Sequence, residues 1–366
     1  DDWQETYRTL VRWELELADA APDMHEMLEL QKNEANVAIA KFVKKNYGTW
    51  VKNMADEAPL MSPRLFKNKI FPLLDAGEKV FFVLIDNFRF DQWRVIRPIL
   101  SDYFTCDDEM YYSILPTATQ YARNAIFSGL MPLDIQKLFP QLWVDEDSDE
   151  GKNLNESPLI ATQFDRYRRK CRFSYNKIND NAAGERLLRD FASLEDNDLN
   201  VVVFNFIDML SHARTESKMI RELAATNAAY RSLTESWFRH SSAFEFLRKV
   251  AESGYKVVLT TDHGTIKVTG PVKVVGEKNT NTNLRYKLGR NLSYNPRQVF
   301  EIQRPRDFGL PAPNVSTRYI FATGRDFFAY PNNYSYYVQY YTDTFQHGGV
   351  SMEEMLVPVI TMIPKQ

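Results

Sequence analysis

Three apolar runs, each leading to an acidic residue, dominate the pattern of hydrophobic and polar positions along the chain. The runs cover residues 79–85, 199–207 and 256–260, and they lead to Asp86, Asp208 and Asp262. Uninterrupted β-branched and aromatic residues are typical of strands buried on both faces of a parallel sheet. The acidic residues are therefore predicted to lie where strands end.

Amphipathic, helix-like segments separate these runs. They are predicted over residues 91–100, 120–128, 182–194 and 225–252, with a last apolar strand at 355–362. The Tyr-rich stretch 332–345 is predicted as strand-like. Strands that alternate with helices indicate an α/β fold with a doubly wound, mostly parallel sheet, whose ligands bind outside the carboxyl ends of the strands.

The first part of the chain has a different pattern. Two apolar stripes at helical spacing, separated by Pro22, predict a small helical bundle over residues 1–58. Residues 59–366 then form the α/β domain, with an insert at about 264–306. A length of 366 residues suits a large domain with an additional module.

Composition narrows the class of protein. The net charge of −3 provides no global attraction to nucleic acid, and two cysteines without a CxxC pair fit a reducing compartment. No run of 18 apolar residues exists, so we expect a cytoplasmic protein with no membrane insertion. The chain begins without Met, and we expect it to be part of a longer protein.

Polar residues at the predicted strand ends form a candidate metal site. Asp208 and His212 are four residues apart and share a face of a helical turn, Asp262 and His263 are adjacent, and two glycines follow His347. Asp86 and Thr119 complete a set of seven nitrogen and oxygen ligands, which suits zinc better than magnesium. Two ions ~3.5–4 Å apart can clamp an in-line phosphoryl displacement.

Each of these pieces also has a structural interpretation. Asp208 and His212 would then form a surface ion pair, Asp262–Gly264 a strand-to-loop turn, and His347 a turn cap. Thr119, at a predicted strand-to-helix turn, would cap the helix. All the pieces fall at one predicted edge of the sheet, which favours the metal site.

The order of these motifs resembles the alkaline phosphatase superfamily. The matching segments are IDNFR (85–89), PTAT (116–119), DMLSH (208–212), TDHG (261–264) and HGG (347–349). The branch with a threonine nucleophile is the most similar, and the tail HGGVSMEEMLVP resembles the PglZ domain. The resemblance implies two zinc ions: one held by Asp86, Thr119, Asp262 and His263, the other by Asp208, His212 and His347. It also implies that Thr119 is the nucleophile and that Thr117 has a local structural role.

The substrate is open between several classes. The resemblance implies an arginine and an asparagine that contact phosphate, and the candidates for them are Arg123 and Asn124, one turn beyond Thr119. The insert holds nine Lys or Arg residues against Glu277 and Glu301, with aromatic residues between them. Such a surface suits a nucleotide or short oligonucleotide, with Lys273, Arg285 and Lys287 as candidate contacts; otherwise the insert is a solvated loop or a docking face. The alternatives to a phosphodiesterase are a phosphomonoesterase or protein phosphatase, a sulfatase, or a non-catalytic zinc-bound signalling output domain.

A PglZ domain behind a helical bundle resembles the PorX-type response regulators linked to type IX secretion. This resemblance implies two-component signalling, with a receiver domain upstream of residue 1, a homodimer formed on activation and a signalling partner protein.

Overall fold

A six-stranded sheet organises the chain. The computed structural model describes residues 2–205, 225–277 and 280–366. The strand order is β2-β13-β5-β1-β4-β3, with β3, β4, β1 and β5 mutually parallel and β13 antiparallel to both of its neighbours. The strands of this sheet are β1 (Val80–Ile85), β2 (Phe104–Tyr112), β3 (Phe173–Ile178), β4 (Leu199–Phe204), β5 (Lys256–Thr260) and β13 (Leu356–Pro364). The predicted fold class, with helices preceding a mostly parallel sheet, is confirmed.

Helices occupy the connections and the amino-terminal part of the described chain. They are α1 (Asp2–Glu16), α2 (Pro22–Lys52), α3 (Phe71–Asp75), α4 (Phe90–Leu100), α5 (Thr119–Ser128), α6 (Pro132–Leu138), α7 (Glu156–Arg166), α8 (Asn181–Arg189), α9 (Phe191–Leu194), α10 (Asn227–His240), α11 (Ser242–Glu252), α12 (Tyr334–Tyr341) and α13 (Met352–Met355). None of the helices within the described ranges combines the length and apolar character needed to cross a bilayer.

The remaining strands form small sheets beside the carboxyl edge. They are β6 (Ile266–Lys267), β7 (Gly270–Lys273), β8 (Tyr286–Gly289), β9 (Phe300–Ile302), β10 (Arg318–Phe321), β11 (Asp326–Ala329) and β12 (Phe345–Gln346). β6 pairs with β12, so the segments that carry His263 and His347 are joined by backbone hydrogen bonds.

Two predicted elements differ from the structure. The Tyr-rich stretch was predicted as a strand and forms helix α12, because tyrosines four residues apart stack along one helix face: Tyr336 on Tyr340 and Tyr337 on Tyr341. The helix predicted over 225–252 is two helices, α10 and α11. Ser241 separates them, and its hydroxyl accepts a hydrogen bond from the Ala243 N–H as the cap of α11.

Candidate active site

Asp86 and Asp262 meet at the carboxyl edge because β1 and β5 are neighbours in the sheet. Asp86 follows β1 directly, and Asn87 then adopts a left-handed conformation with φ of 56°, which asparagine tolerates. This turn brings the Asn87 N–H to 3.2 Å from Oδ1 of Asp262. The two carboxylates are thus held together by backbone geometry and are both buried.

His263 completes a group of three candidate ligands. Ligand atoms of Asp86, Asp262 and His263 all lie within 4.8 Å of one another. Nδ1 of His263 lies 2.9 Å from the Gly264 carbonyl oxygen, which can only accept a hydrogen bond. In a neutral ring Nδ1 therefore carries the proton, and the lone pair of Nε2 is available as a ligand.

Thr119 faces that lone pair. Its Oγ1 lies 3.2 Å from Nε2 of His263. Thr119 is the first residue of α5, and the cap position before it belongs to Ala118, so the Thr119 hydroxyl does not serve as the helix cap. The half-buried hydroxyl thus lies at a positive helix end and beside the three ligands, where an oxygen could react with an anionic group.

Thr117 and His347 form the other side of the site. The Thr117 hydroxyl donates to the Gly349 carbonyl and accepts from the Gly348 N–H, so this threonine holds the glycine turn. Gly348 has φ of 125°, a conformation that a side chain would strain. His347 stacks on His263 with ring centroids 4.2 Å apart, and its Nδ1 lies 3.1 Å from the Thr117 carbonyl. His347 is therefore within the same cluster as Thr119.

Arg123 lies between the carboxylates. Its guanidinium contacts Asp86 at 2.6 Å, Asp262 at 3.2 Å and Glu156 at 3.4 Å. Burial alone would lower the pKa of Arg123, but these three carboxylates outweigh it and raise that pKa, so the guanidinium stays charged. Burial raises the pKa of Asp262, but the neighbouring His263 and Arg123 outweigh burial and lower that pKa to about 2. Arg123 and Asp262 are therefore both charged at neutral pH.

Glu156 is a site residue that the sequence analysis missed. It is buried on α7 and also contacts Lys177 at 3.6 Å and the Tyr175 hydroxyl. No motif surrounds it, so only the tertiary contact with Arg123 reveals its role. Among the residues that the structure describes, Arg123 and Lys177 are the cations that contact these three carboxylates, and a metal ion would add positive charge beside them.

The other predicted contact residues have varied surroundings. Asn124 is buried and donates to the Lys152 carbonyl. Arg285 is fully buried and pairs with Glu354 at 2.6 Å. Lys287 is buried, donates to the Asn281 carbonyl and lies over the Tyr330 ring, while Lys273 is exposed and lies 4.8 Å from the centroid of the Tyr334 ring.

Asp208 and His212, predicted as ligands of the second ion, lie outside the described residues. Arg285 and Lys287 belong to the interior rather than to an open basic face. Of the insert residues predicted to contact substrate, Lys273 is the exposed one.

Family models match both parts of the chain. The BREX system PglZ alkaline phosphatase-like domain matches residues 65–362, and the PorX response regulator linker domain matches residues 1–51. No curated protein matches the chain.

The chain is similar to several solved structures at low sequence identity, and two of them, with TM-scores of 0.50 and 0.51, share its fold. Human ectonucleotide pyrophosphatase/phosphodiesterase 5 is 10% identical, with 78% of this chain and 87% of that chain covered and a TM-score of 0.50. The murine protein is also 10% identical; the match covers 78% of this chain and 88% of the murine chain, with a TM-score of 0.51. Phosphonoacetate hydrolase from Sinorhizobium meliloti 1021 is 12% identical; the match covers 78% of this chain and 90% of the hydrolase chain, with a TM-score of 0.49.

Proposed function

The chain belongs to the PglZ alkaline phosphatase-like family and is a phosphoric ester hydrolase, and from this premise we propose that it is a zinc-dependent phosphodiesterase of nucleotides or short oligonucleotides. The observation that carries the proposal is the Thr119 hydroxyl, 3.2 Å from Nε2 of His263 and next to the cluster of Asp86, Asp262 and His263. A hydroxyl beside two carboxylates and an imidazole suits a nucleophile held at a metal site.

The donor set fits zinc. Asp86, Asp262, His263 and Thr119 would hold one ion, and His347, with Asp208 and His212, would hold a second. Bound zinc supplies a Lewis acid that favours the deprotonated threonine oxygen and stabilises charge on the phosphoryl group.

The chain's own residues provide the nucleophile and its position. The first turn of α5 fixes Oγ1 of Thr119 at a helix end that favours an approaching phosphate. Oγ1 attacks phosphorus, forming an O–P bond while the bond to the leaving alcohol breaks. Water then cleaves the phosphothreonine diester, releasing a phosphate monoester and restoring the hydroxyl.

Exposed aromatic residues support a nucleotide substrate. Tyr336 on α12 is 63% exposed and stacks on Tyr340, and Lys273 lies beside Tyr334 at the start of the same helix. Aromatic rings beside a cation suit the bases and phosphates of a single strand.

The substrate class is tested by turnover. Purified protein with zinc is assayed on bis-p-nitrophenyl phosphate, on dinucleotides and on p-nitrophenyl phosphate. The proposal predicts cleavage of both diesters at higher kcat/KM than the monoester. Cleavage of monoesters alone would establish the alternative, a phosphomonoesterase or protein phosphatase, and zinc binding without turnover of any ester would indicate a non-catalytic output domain.

The domain organisation of the chain is similar to that of a response regulator. The match of residues 1–51 to the PorX linker supports a response-regulator output domain, with a bundle at 1–58 and a catalytic domain at 59–366. We also propose an upstream receiver domain, a homodimer formed on activation, a signalling partner protein, a cytoplasmic location and a link to type IX secretion.

A further inference from the structure

The segment that follows His347 is hydrogen-bonded to the loop that carries Asp262 and His263. The Gly264 N–H donates to the Glu354 carbonyl at 3.0 Å, and a Cβ on Gly264 would lie 1.8 Å from the Glu353 carbonyl oxygen. The Ser113 N–H donates to the Met355 carbonyl, and the Ser113 hydroxyl donates to the Asp262 carbonyl. A shift of residues 352–355 would therefore move Asp262 and His263.

The same segment also fixes the glycine turn. The Glu354 carboxylate accepts from the Gly349 N–H at 3.0 Å and from the Ser351 hydroxyl at 2.6 Å. Arg285 holds that carboxylate through two hydrogen bonds, at 3.0 and 2.6 Å. The position of His347, two residues before Gly349, thus depends on where the turn of α13 lies.

Asn36 lies on helix α2 of the amino-terminal bundle, outside the α/β part of the chain, and is hydrogen-bonded to residues 352–353. Its Oδ1 accepts from the Met352 N–H at 2.9 Å, and its Nδ2 donates to both carboxylate oxygens of Glu353 at 3.3 Å. Asn36 is 2% exposed, so a lost partner would leave buried polar groups unsatisfied. The oxygen and the nitrogen of this one side-chain amide therefore bind two consecutive residues, Met352 and Glu353.

Buried charges around Asn36 extend the contact to the strand end of β1. Lys32, one turn earlier on α2, contacts Glu14 of α1 at 3.2 Å. Glu14 pairs with Arg231 of α10 at 2.7 Å, and Arg231 pairs with Asp91 at 3.1 Å. Asp91 in turn holds Arg89, three residues after Asp86. The bundle is therefore connected to the segments that carry Asp86, His263 and His347.

Resting on the proposed metal-dependent function, we propose that Asn36 is a positioning residue of the metal site. Through Met352 and Glu353 it sets where His263 and His347 lie, without itself contacting metal or substrate. The geometry of the site then depends on the hydrogen bonds that Asn36 makes to Met352 and Glu353, and their loss changes metal affinity.

The test uses cobalt(II) as the probe on the full chain, because its visible absorption reports ligand geometry independently of turnover. Asn36→Ala is expected to bind cobalt at least tenfold more weakly than the wild type, with altered bands. Asn36→Asp keeps the acceptor for Met352 but removes the donor to Glu353, and is expected to weaken binding similarly. The double variant Asn36→Asp/Glu353→Gln restores a donor–acceptor pair and is expected to recover most of the affinity.

Two controls separate positioning from general destabilisation. Asn46→Ala removes an amide that donates to the Phe42 carbonyl of its own helix, and Leu10→Ala truncates a buried apolar side chain of α1 without removing a hydrogen bond to Met352 or Glu353. Both are expected to keep the cobalt spectrum and affinity. The inference is overturned if Asn36→Ala binds cobalt within twofold of the wild type, or if Leu10→Ala weakens binding as much. A wild type that binds no cobalt would instead overturn the proposed function itself.

Discussion

Oγ1 of Thr119 lies 3.2 Å from Nε2 of His263, although 144 residues separate the two in sequence. The contact arises because α5 starts beside the carboxyl edge of the sheet, where β5 leads into His263. A hydroxyl at a helix start and an imidazole with its free lone pair facing it form the reactive centre of the proposed enzyme.

Arg123 is expected to balance the carboxylates that zinc would also neutralise. Arg123→Ala leaves Asp86, Asp262 and Glu156 without their guanidinium, and we expect a loss of about 3–5 kcal/mol of unfolding free energy without metal. Added zinc should raise the Tm of the variant more than that of the wild type, because the cation replaces lost positive charge. Thermal unfolding with and without zinc measures both.

The matched control for Arg123 is Arg169→Ala, which breaks an exposed pair with Asp75. Its Tm and its response to zinc should stay close to the wild type, since exposed ion pairs contribute little. An equal zinc-induced shift in wild type and Arg123→Ala would contradict the role given to Arg123.

Arg285 is expected to act through the fold rather than through substrate. Arg285→Met leaves the buried Glu354 carboxylate without its cation. We expect this to lower the free energy of unfolding, measured by chemical denaturation, by about 3–5 kcal/mol. Arg285→Met/Glu354→Gln removes the stranded charge and should recover part of that loss. A stable single variant with a raised KM would instead support the predicted substrate contact.

Lys287 gives a pH-dependent test of its buried position. Burial lowers the pKa of Lys287 from 10.5 to about 8, so between these values the unfolded chain binds more protons than the folded one. Stability contributed by this group therefore rises with pH from 8 to 10.5, with a slope approaching about 1.4 kcal/mol per pH unit.

The Lys287 effect is measured as a difference between two proteins. The unfolding free energy of Lys287→Met minus that of the wild type should shrink as pH rises through this window. A difference that stays constant with pH would place Lys287 in contact with solvent.

Tyr336 is expected to bind oligonucleotide bases. Tyr336→Ala should raise KM for an oligonucleotide by about 5- to 160-fold, the effect of losing about 1–3 kcal/mol of stacking, and leave KM for bis-p-nitrophenyl phosphate unchanged. Tyr167→Ala, which removes another exposed ring, one that lies beside Phe71, is the control and should change neither. Equal effects of the two variants would remove α12 from substrate binding.

The positions of the central ligands follow from the sequence because they depend on local pattern. The apolar runs before Asp86 and Asp262 predict buried parallel strands, and neighbouring parallel strands place their ends together. Arg123 and Glu156 could not be paired in this way, since their contact depends on how α5 and α7 pack. The sequence pattern shows that a residue is charged but not which partner it meets.

Helix α12 and the basic insert are two further cases in which tertiary contacts, not local sequence pattern, decide the structure. Aromatic residues favour strands on average, yet tyrosine pairs four residues apart can also stack on a helix, and here that packing prevails. The excess of positive charge in the insert makes Arg285 and Lys287 candidate substrate contacts. Both are buried, because Glu354 and the Asn281 carbonyl satisfy them.

The central claim is that Thr119 is the nucleophile of a zinc-dependent phosphodiesterase. The most direct measurement is turnover of bis-p-nitrophenyl phosphate by Thr119→Ala, with zinc content and Tm determined on the same sample. The account predicts two zinc ions per chain, a wild-type Tm and a rate at least a thousandfold lower, since the attacking oxygen is gone. A folded, zinc-loaded Thr119→Ala that turns over the diester within threefold of the wild type would contradict it.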